Sequence, residues 1–156
     1  MGGALWTARA AKKVVEAGKW QSGKMPKGAY PLSKNNSFRL GTGWEYCIHK
    51  LDGTNPMSLL IAFHAGKREY LAWLALEADN DKAILARFEY HATHGGWHVH
   101  LKADDLTKIG WGMVKQPNER RVICKAKPDP AVGKAQAEAL AFRVFNVEPE
   151  TWGMQE

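Results

Sequence analysis

Cysteine is scarce in this chain: Cys47 and Cys124 lie far apart, in separate expected strands, and neither belongs to a CxxC pair. That argues against a disulfide scaffold and a zinc ribbon, and it suits a reducing cytoplasm. No apolar run is long enough to span a bilayer, so the chain reads as a soluble protein without a membrane partner. There is no internal repeat, no low-complexity tract, no Gly-x-Ser-x-Gly elbow, no HExxH helix and no dinucleotide fingerprint. Gly41-Thr42-Gly43 is glycine-rich but lacks the lysine and following helix of a phosphate loop. Acids are rare at the start, where Arg9, Lys12, Lys13 and Lys19 face only Glu16. This stretch has no continuous apolar core of a secretory signal, and an amphipathic helix packed on the domain is expected there.

What is present fits one globular domain, residues 1–156, with a single core. The net charge of +6 favours encounter with an anionic partner such as nucleic acid, without requiring one. Seven tryptophans supply aromatic area for a core or a binding surface.

The pattern predicts a first helix over 4–17, stopped by Gly18, and then a Gly/Pro/Lys/Ser-rich surface loop over 21–36. The period then changes to two. Trp44, Tyr46 and Ile48 alternate with Glu45, Cys47 and His49, and further strands are expected over 59–64, 70–77, 83–93 and 97–102. Residues 111–114 and 121–125 are candidates for two more. The last element reads as a helix capped by Asp129, with Pro130 at its first position and Val132, Ala135, Ala139 and Phe142 along one face. Short connections force antiparallel neighbours. The expected fold is therefore α+β: a single antiparallel β-meander sheet flanked by an N-terminal and a C-terminal helix.

Four of the six histidines, His91, His94, His98 and His100, fall within ten residues. Gly95-Gly96 suits a two-residue hairpin turn, which would place His91 opposite His100, Thr93 opposite His98 and Glu89 opposite Lys102. One face of the hairpin over 83–102 then holds Glu89, His91, Thr93, His98, His100 and Lys102, and the other holds Tyr90, Ala92, Val99 and Leu101. His91, His98 and His100 are close enough in this register to hold one divalent ion, such as Mn, Mg or Zn, or to divide acid and base work without metal. Glu89 would orient a histidine, while Thr93, Lys102 or Arg121 would steady a phosphate. His94 falls near the tip, where it could swing toward a substrate. Arg120-Arg121, with Lys115, Lys125 and Lys127, would either grip phosphates or form a solvated edge strand. Trp111 is a stacking platform or a core residue. His49 and His64 read as packing histidines, and Tyr46 and Tyr70 as core.

The run His91-Ala92-Thr93-His94-Gly95-Gly96-Trp97-His98-Val99-His100-Leu101 resembles the three-histidine motif of HUH endonucleases, especially plasmid relaxases. His91, His98, Val99 and His100 match its spacing. The resemblance implies a divalent metal that polarises a scissile phosphate, and a tyrosine that becomes attached to the 5′ end of single-stranded DNA. Thr93 stands where relaxases often carry an acid, and no tyrosine follows Tyr90. The leading expectation is a nucleic-acid phosphodiesterase. Three readings stand beside it: a metal-independent ribonuclease or toxin using the RNA 2′-hydroxyl, a non-enzymatic metal-stabilised or partner-binding module, and a small-molecule metal enzyme, since His98-Val99-His100 with Asp104 is loosely similar to a first cupin motif.

Overall fold

The computed structural model describes residues 3–53, 55–91, 96–102, 106–123 and 133–149. A short helix α1 (Ala4–Arg9) leads into β1 (Lys12–Glu16) and β2 (Gln21–Ser22). Six strands then run back and forth: β3 (Glu45–Leu51), β4 (Met57–His64), β5 (Glu69–Ala78), β6 (Asp81–His91), β7 (Gly96–Lys102) and β8 (Glu119–Ile123). Helix α2 (Lys134–Phe145) and β9 (Val147–Glu148) follow. The class is α+β, as the patterning suggests. The single nine-stranded sheet has the order β8-β7-β6-β5-β4-β3-β1-β9, with β2 also on β3. Because β1 and β9 pair in parallel, the sheet is mixed, and the antiparallel meander is only its β3–β8 part.

The first expected helix is cut short at Arg9, and the chain continues as β1. Two β-branched residues, Val14 and Val15, favour the extended form, and burial there alternates, with Lys12 and Val14 in and Lys13 and Val15 out. An inward lysine at position 12 looks anomalous until its partners are seen. Its Nζ donates to the carbonyls of Ala8 at 2.9 Å, Ala10 at 2.6 Å and Phe145 at 2.7 Å. Those carbonyls end α1 and α2, where backbone acceptors lack helical partners and the dipole favours a cation. One ammonium thus ties both helix ends to the sheet.

The sheet is covered on both sides, which is why β4 reads as a continuous apolar run. One face packs Leu59, Ile61, Phe63, Tyr70, Leu74, Phe88 and Trp97 against α1 and α2. Helix α2 turns Ala137, Leu140, Ala141 and Phe145 inward, whereas Ala135 and Ala139 of the expected face are exposed. Alanine methyls mark a face weakly; the bulk of Leu140 and Phe145, with the Tyr70 hydroxyl donating to the Ala137 carbonyl at 2.9 Å, decides the rotation. Val132, Asp129 and Pro130 lie outside the described residues, and Gly133 stands at the helix N-cap.

Among the described residues, the opposite face carries neither α1 nor α2. The stretch expected as a surface loop over 21–36 contains β2, and it buries Met25, Tyr30 and Leu32 against Tyr46, Leu60, Leu71, Trp73 and Ile84. Leu40 and the ring of Phe38 extend this cover. Residues 111–114 form turns rather than a strand. Gln116 closes that loop with paired bonds to Gly110, and Gly112 anchors it to Lys34 and Lys82 through backbone bonds.

Replacing Lys12 with methionine keeps most of the side-chain volume but strands two buried carbonyls and one half-buried carbonyl. Lys12→Met is expected to lower unfolding free energy by about 3 kcal/mol in urea titrations at neutral pH. A loss below about 0.5 kcal/mol would show that the ammonium does not join the helix ends.

Candidate metal centre

The register of β6 and β7 differs from the one a Gly95-Gly96 turn would set. His98 pairs with Glu89, His100 with Arg87, and Trp97 with Tyr90, while His91 faces Gly96. Each partner on β6 lies four residues before the expected one. An even slip keeps every side chain on its expected face, so the histidine face survives with a changed membership. The cause is aromatic packing on the other face. Trp97 stacks on Phe88 at 4.9 Å and touches Tyr90 and Tyr70 at 5.0 and 5.4 Å. That burial outweighs turn propensity at two glycines, and Gly96 becomes the first residue of β7.

The slip brings Arg87 and Glu89 beside the histidines. Together with Lys115 and Arg121 they line an open cleft of about 540 Å³ on the sheet face away from α1 and α2. Glu89 is buried in its floor. Its Oε2 accepts from Trp73 Nε1 at 2.8 Å and from Arg87 at 3.2 Å. Its Oε1 faces His91 Nε2 at 3.2 Å and His98 Nε2 at 3.6 Å. Burial alone would raise the Glu89 carboxyl, but His91, Arg87 and Trp73 together outweigh it and bring it down to about 2. The hydrogen bond that His91 donates to Glu89 raises His91 above the ordinary histidine value, and burial lowers both His98 and His100.

Hydrogen bonding sorts the histidines by tautomer. His98 Nδ1 lies 3.2 Å from the Gly96 carbonyl and must donate to it. In the neutral ring, Nε2 then carries a lone pair aimed at a carboxylate oxygen, an arrangement that calls for a proton or a cation between them. His49 is the reverse. The Gly18 N–H donates to its Nδ1 at 3.0 Å, so Nε2 bears the hydrogen and gives it to Glu138 at 2.7 Å. His64 Nδ1 likewise accepts from the Lys67 N–H at 3.1 Å, and its ring packs against Gly43 and Trp44. Cys47 sits 3.6 Å from His49 Nε2, but burial, then the Glu138 charge, push its thiol up to about 12, which disfavours the thiolate.

Among the described residues, Glu89, His91 and His98 form the group whose ligand atoms all lie within 4.8 Å of one another. An ion with bonds of about 2.0–2.2 Å spaces neighbouring donors about 3.0–3.5 Å apart, close to the 3.2 and 3.6 Å that separate Glu89 Oε1 from His91 and His98. His100 lines the same cleft, edge-on to His98 at 4.8 Å between ring centres, but its Nδ1 faces Glu119 Oε1 at 3.6 Å, and it falls outside that group. Glu119 in turn accepts from Arg87 at 2.7 Å. Arg121 pairs with His100 across the strands and lines the cleft, whereas Arg120 pairs with Leu101 and belongs to the other face. Lys102 is buried and donates to the Pro117 carbonyl at 3.0 Å, so it does not line the cleft. Thr93, His94, Lys125 and Lys127 lie outside the described residues. Sequence reasoning missed Arg87, Glu119 and Glu69, which reach the histidines only through pairing across strands: Arg87 lies opposite His100, Glu69 lies opposite His91 from β5, and Glu119 faces His100 from β8.

None of the four tyrosines lines the cleft. Tyr30, Tyr46 and Tyr70 are buried in the two cores, and Tyr90 packs on Trp97 across the sheet from it. Among the described residues, no helix is long and apolar enough to cross a membrane. No family model matches the chain, and no curated protein or solved structure matches it either.

The Glu89–His91 pair gives a pH signature to stability in the presence of chelator. Glu89 is depressed, so its contribution is complete above the ordinary carboxyl value of 4.5 and is lost as pH falls toward about 2. His91 is raised, so its share is complete below the ordinary 6.5 and is lost as pH rises through its folded value. The stability difference between wild type and Glu89→Gln is therefore expected to peak in weak acid and shrink on both sides. A difference that stays flat between about pH 3 and pH 8 would contradict the pairing.

Proposed function

We propose that the chain is a divalent-metal-dependent phosphodiesterase acting on nucleic acid, with Glu89, His91 and His98 as the protein ligands and water as the nucleophile. The carrying observation is the convergence of Glu89 Oε1, His91 Nε2 and His98 Nε2 in one cleft, with the His98 tautomer already set for ligation. Two imidazoles and a carboxylate suit zinc or manganese better than magnesium, and three protein ligands leave positions for water and substrate. A bound ion there supplies Lewis acidity and a water of lowered pKa.

The chain's own residues supply the rest. Trp73 and Arg87 hold Glu89 Oε2, so Oε1 keeps its aim at the histidines. Arg121 and Lys115, both exposed, give the cleft two cations beside His100, where phosphate oxygens are held by charge-assisted hydrogen bonds. His100, backed by Glu119, is placed to move a proton at the substrate. The HUH-like spacing agrees with a metal and a phosphate. The covalent tyrosine step that the resemblance implies has no support, since no tyrosine lines the cleft.

A second reading is metal-independent RNA cleavage. It is favoured by the unlike surroundings of the histidines in one cleft: His91 faces the Glu89 and Glu69 carboxylates and is pushed up, while burial pushes His98 and His100 down, which is how an acid and a base are set apart at one pH.

Elemental analysis of the purified protein, before and after incubation with manganese or zinc, is expected to find one equivalent, lost in a folded His98→Ala variant. Cleavage of single-stranded DNA and RNA is expected to stop with chelator and to fall by at least about 100-fold in His98→Ala. No metal under any condition, with chelator-resistant cleavage of RNA alone, would replace the first reading by the second.

A further inference from the structure

Glu69 opens β5 directly opposite His91, and its Oε2 lies 3.7 Å from His91 Nδ1. The two ring nitrogens of His91 thus address different carboxylates: Nε2 faces Glu89 Oε1 and Nδ1 faces Glu69 Oε2. His98 has the same division of labour, with Nε2 toward Glu89 and Nδ1 toward the Gly96 carbonyl. In both histidines, the inner nitrogen points at one shared oxygen and the outer nitrogen points at an acceptor.

We propose that Glu69 is the positioning residue of the metal centre: it accepts the Nδ1–H of His91 and so presents His91 Nε2 as a ligand. This rests on the metal-centre reading given above. The physical need is specific. A histidine ligates through a lone pair on one nitrogen only when the other keeps its hydrogen, and an acceptor at the outer nitrogen fixes both the tautomer and the ring plane. The backbone does this for His98 at no risk from mutation. The corresponding acceptor for His91 is a side chain on the neighbouring strand. Its charge also increases the basicity of the ring it holds. Glu69 is half-exposed and lies outside the set of residues lining the cleft, so its role is to act through His91 rather than on substrate.

The test is zinc and manganese affinity of the full chain, by titration calorimetry or a competing chelator dye, for wild type, Glu69→Ala and Glu69→Gln. Long-range ¹H–¹⁵N spectra of the histidine rings accompany it. Glu69→Ala is expected to bind metal about 10- to 100-fold more weakly. Glu69→Gln, whose amide oxygen still accepts, is expected to recover part of that loss. Zinc-loaded wild type is expected to show His91 as the Nδ1–H tautomer, and Glu69→Ala to weaken that signature. Metal-free thermal unfolding should barely change, since the residue is half-exposed. Equal affinity in wild type and Glu69→Ala, or Glu69→Gln as weak as Glu69→Ala, would overturn the positioning role while leaving the metal centre intact. Wild type that binds neither metal would overturn both.

Discussion

A carboxylate buried in a sheet is costly, and the arrangement around Glu89 is organised by that cost. Removing a charged oxygen pair from water is tolerable only when each oxygen finds donors or a cation. Oε2 is answered by the Trp73 indole and the Arg87 guanidinium. Arg87 is itself buried, so its charge needs Glu119 as a second partner, and Glu119 also faces His100. The requirement runs across four strands: Trp73 from β5, Arg87 and Glu89 from β6, His98 and His100 from β7, and Glu119 from β8. The network is satisfied in the observed register, so the polar chain supports the slip that the Trp97 aromatic cluster sets on the other face. Oε1 is the one place where the network points outward, at His91 and His98 rather than at fixed donors.

The cleft exists because the two sheet faces are covered by different means. Helix α2 over β4 and β5 and α1 over β6 and β7 cover one face, and an irregular segment with Met25, Tyr30, Leu32, Phe38 and Leu40 covers the other. That segment packs on Trp73 and on Ile84, near the far end of β6, so the polar face of β6–β8 stays open as a cleft. Trp73 sits at the border with two roles. Its ring packs with Phe38 and Tyr30, while its N–H enters the polar network. The hydrophobic cover and the candidate centre therefore meet in one side chain, and displacement of the segment would disturb Glu89 without touching a histidine.

The parts of this arrangement legible in the sequence were those that depend on period alone. Alternation marked β3, a short apolar run marked β4, and alternation in the hairpin separated the histidine face from the face of Tyr90, Val99 and Leu101, because an even slip cannot exchange them. Register was not legible, since the glycine pair argued for a tight turn while the deciding contacts of Trp97 with Phe88 and Tyr70 are long-range. The same limit hid Arg87, Glu119 and Glu69, which reach the histidines only through pairing across strands. Helix-like composition before Gly18 concealed β1, because nothing local reveals that Lys12 will meet the carbonyls of two helix ends. The segment over 21–36 looked polar by count, yet its few large apolar residues cover Tyr46, Leu60, Leu71, Trp73 and Ile84.

Six histidines in one small chain invite the view that all belong to one centre, and the backbone argues otherwise. At His49 and His64 a main-chain N–H points at Nδ1 and forces the hydrogen onto Nε2. At His98 a main-chain carbonyl points at Nδ1 and leaves Nε2 with its lone pair. For these three histidines, the difference between a packing histidine and a candidate ligand thus lies in which backbone atom lies beside the ring. His49 shows the consequence: with Cys47 and Glu138 close by, it has the composition of a metal site, yet its Nε2 is committed as a donor. Proximity of ligating residue types is therefore insufficient evidence for a centre. The Glu89 cluster meets the stricter condition, because the outer nitrogens of His91 and His98 both face acceptors and the inner ones share a single oxygen.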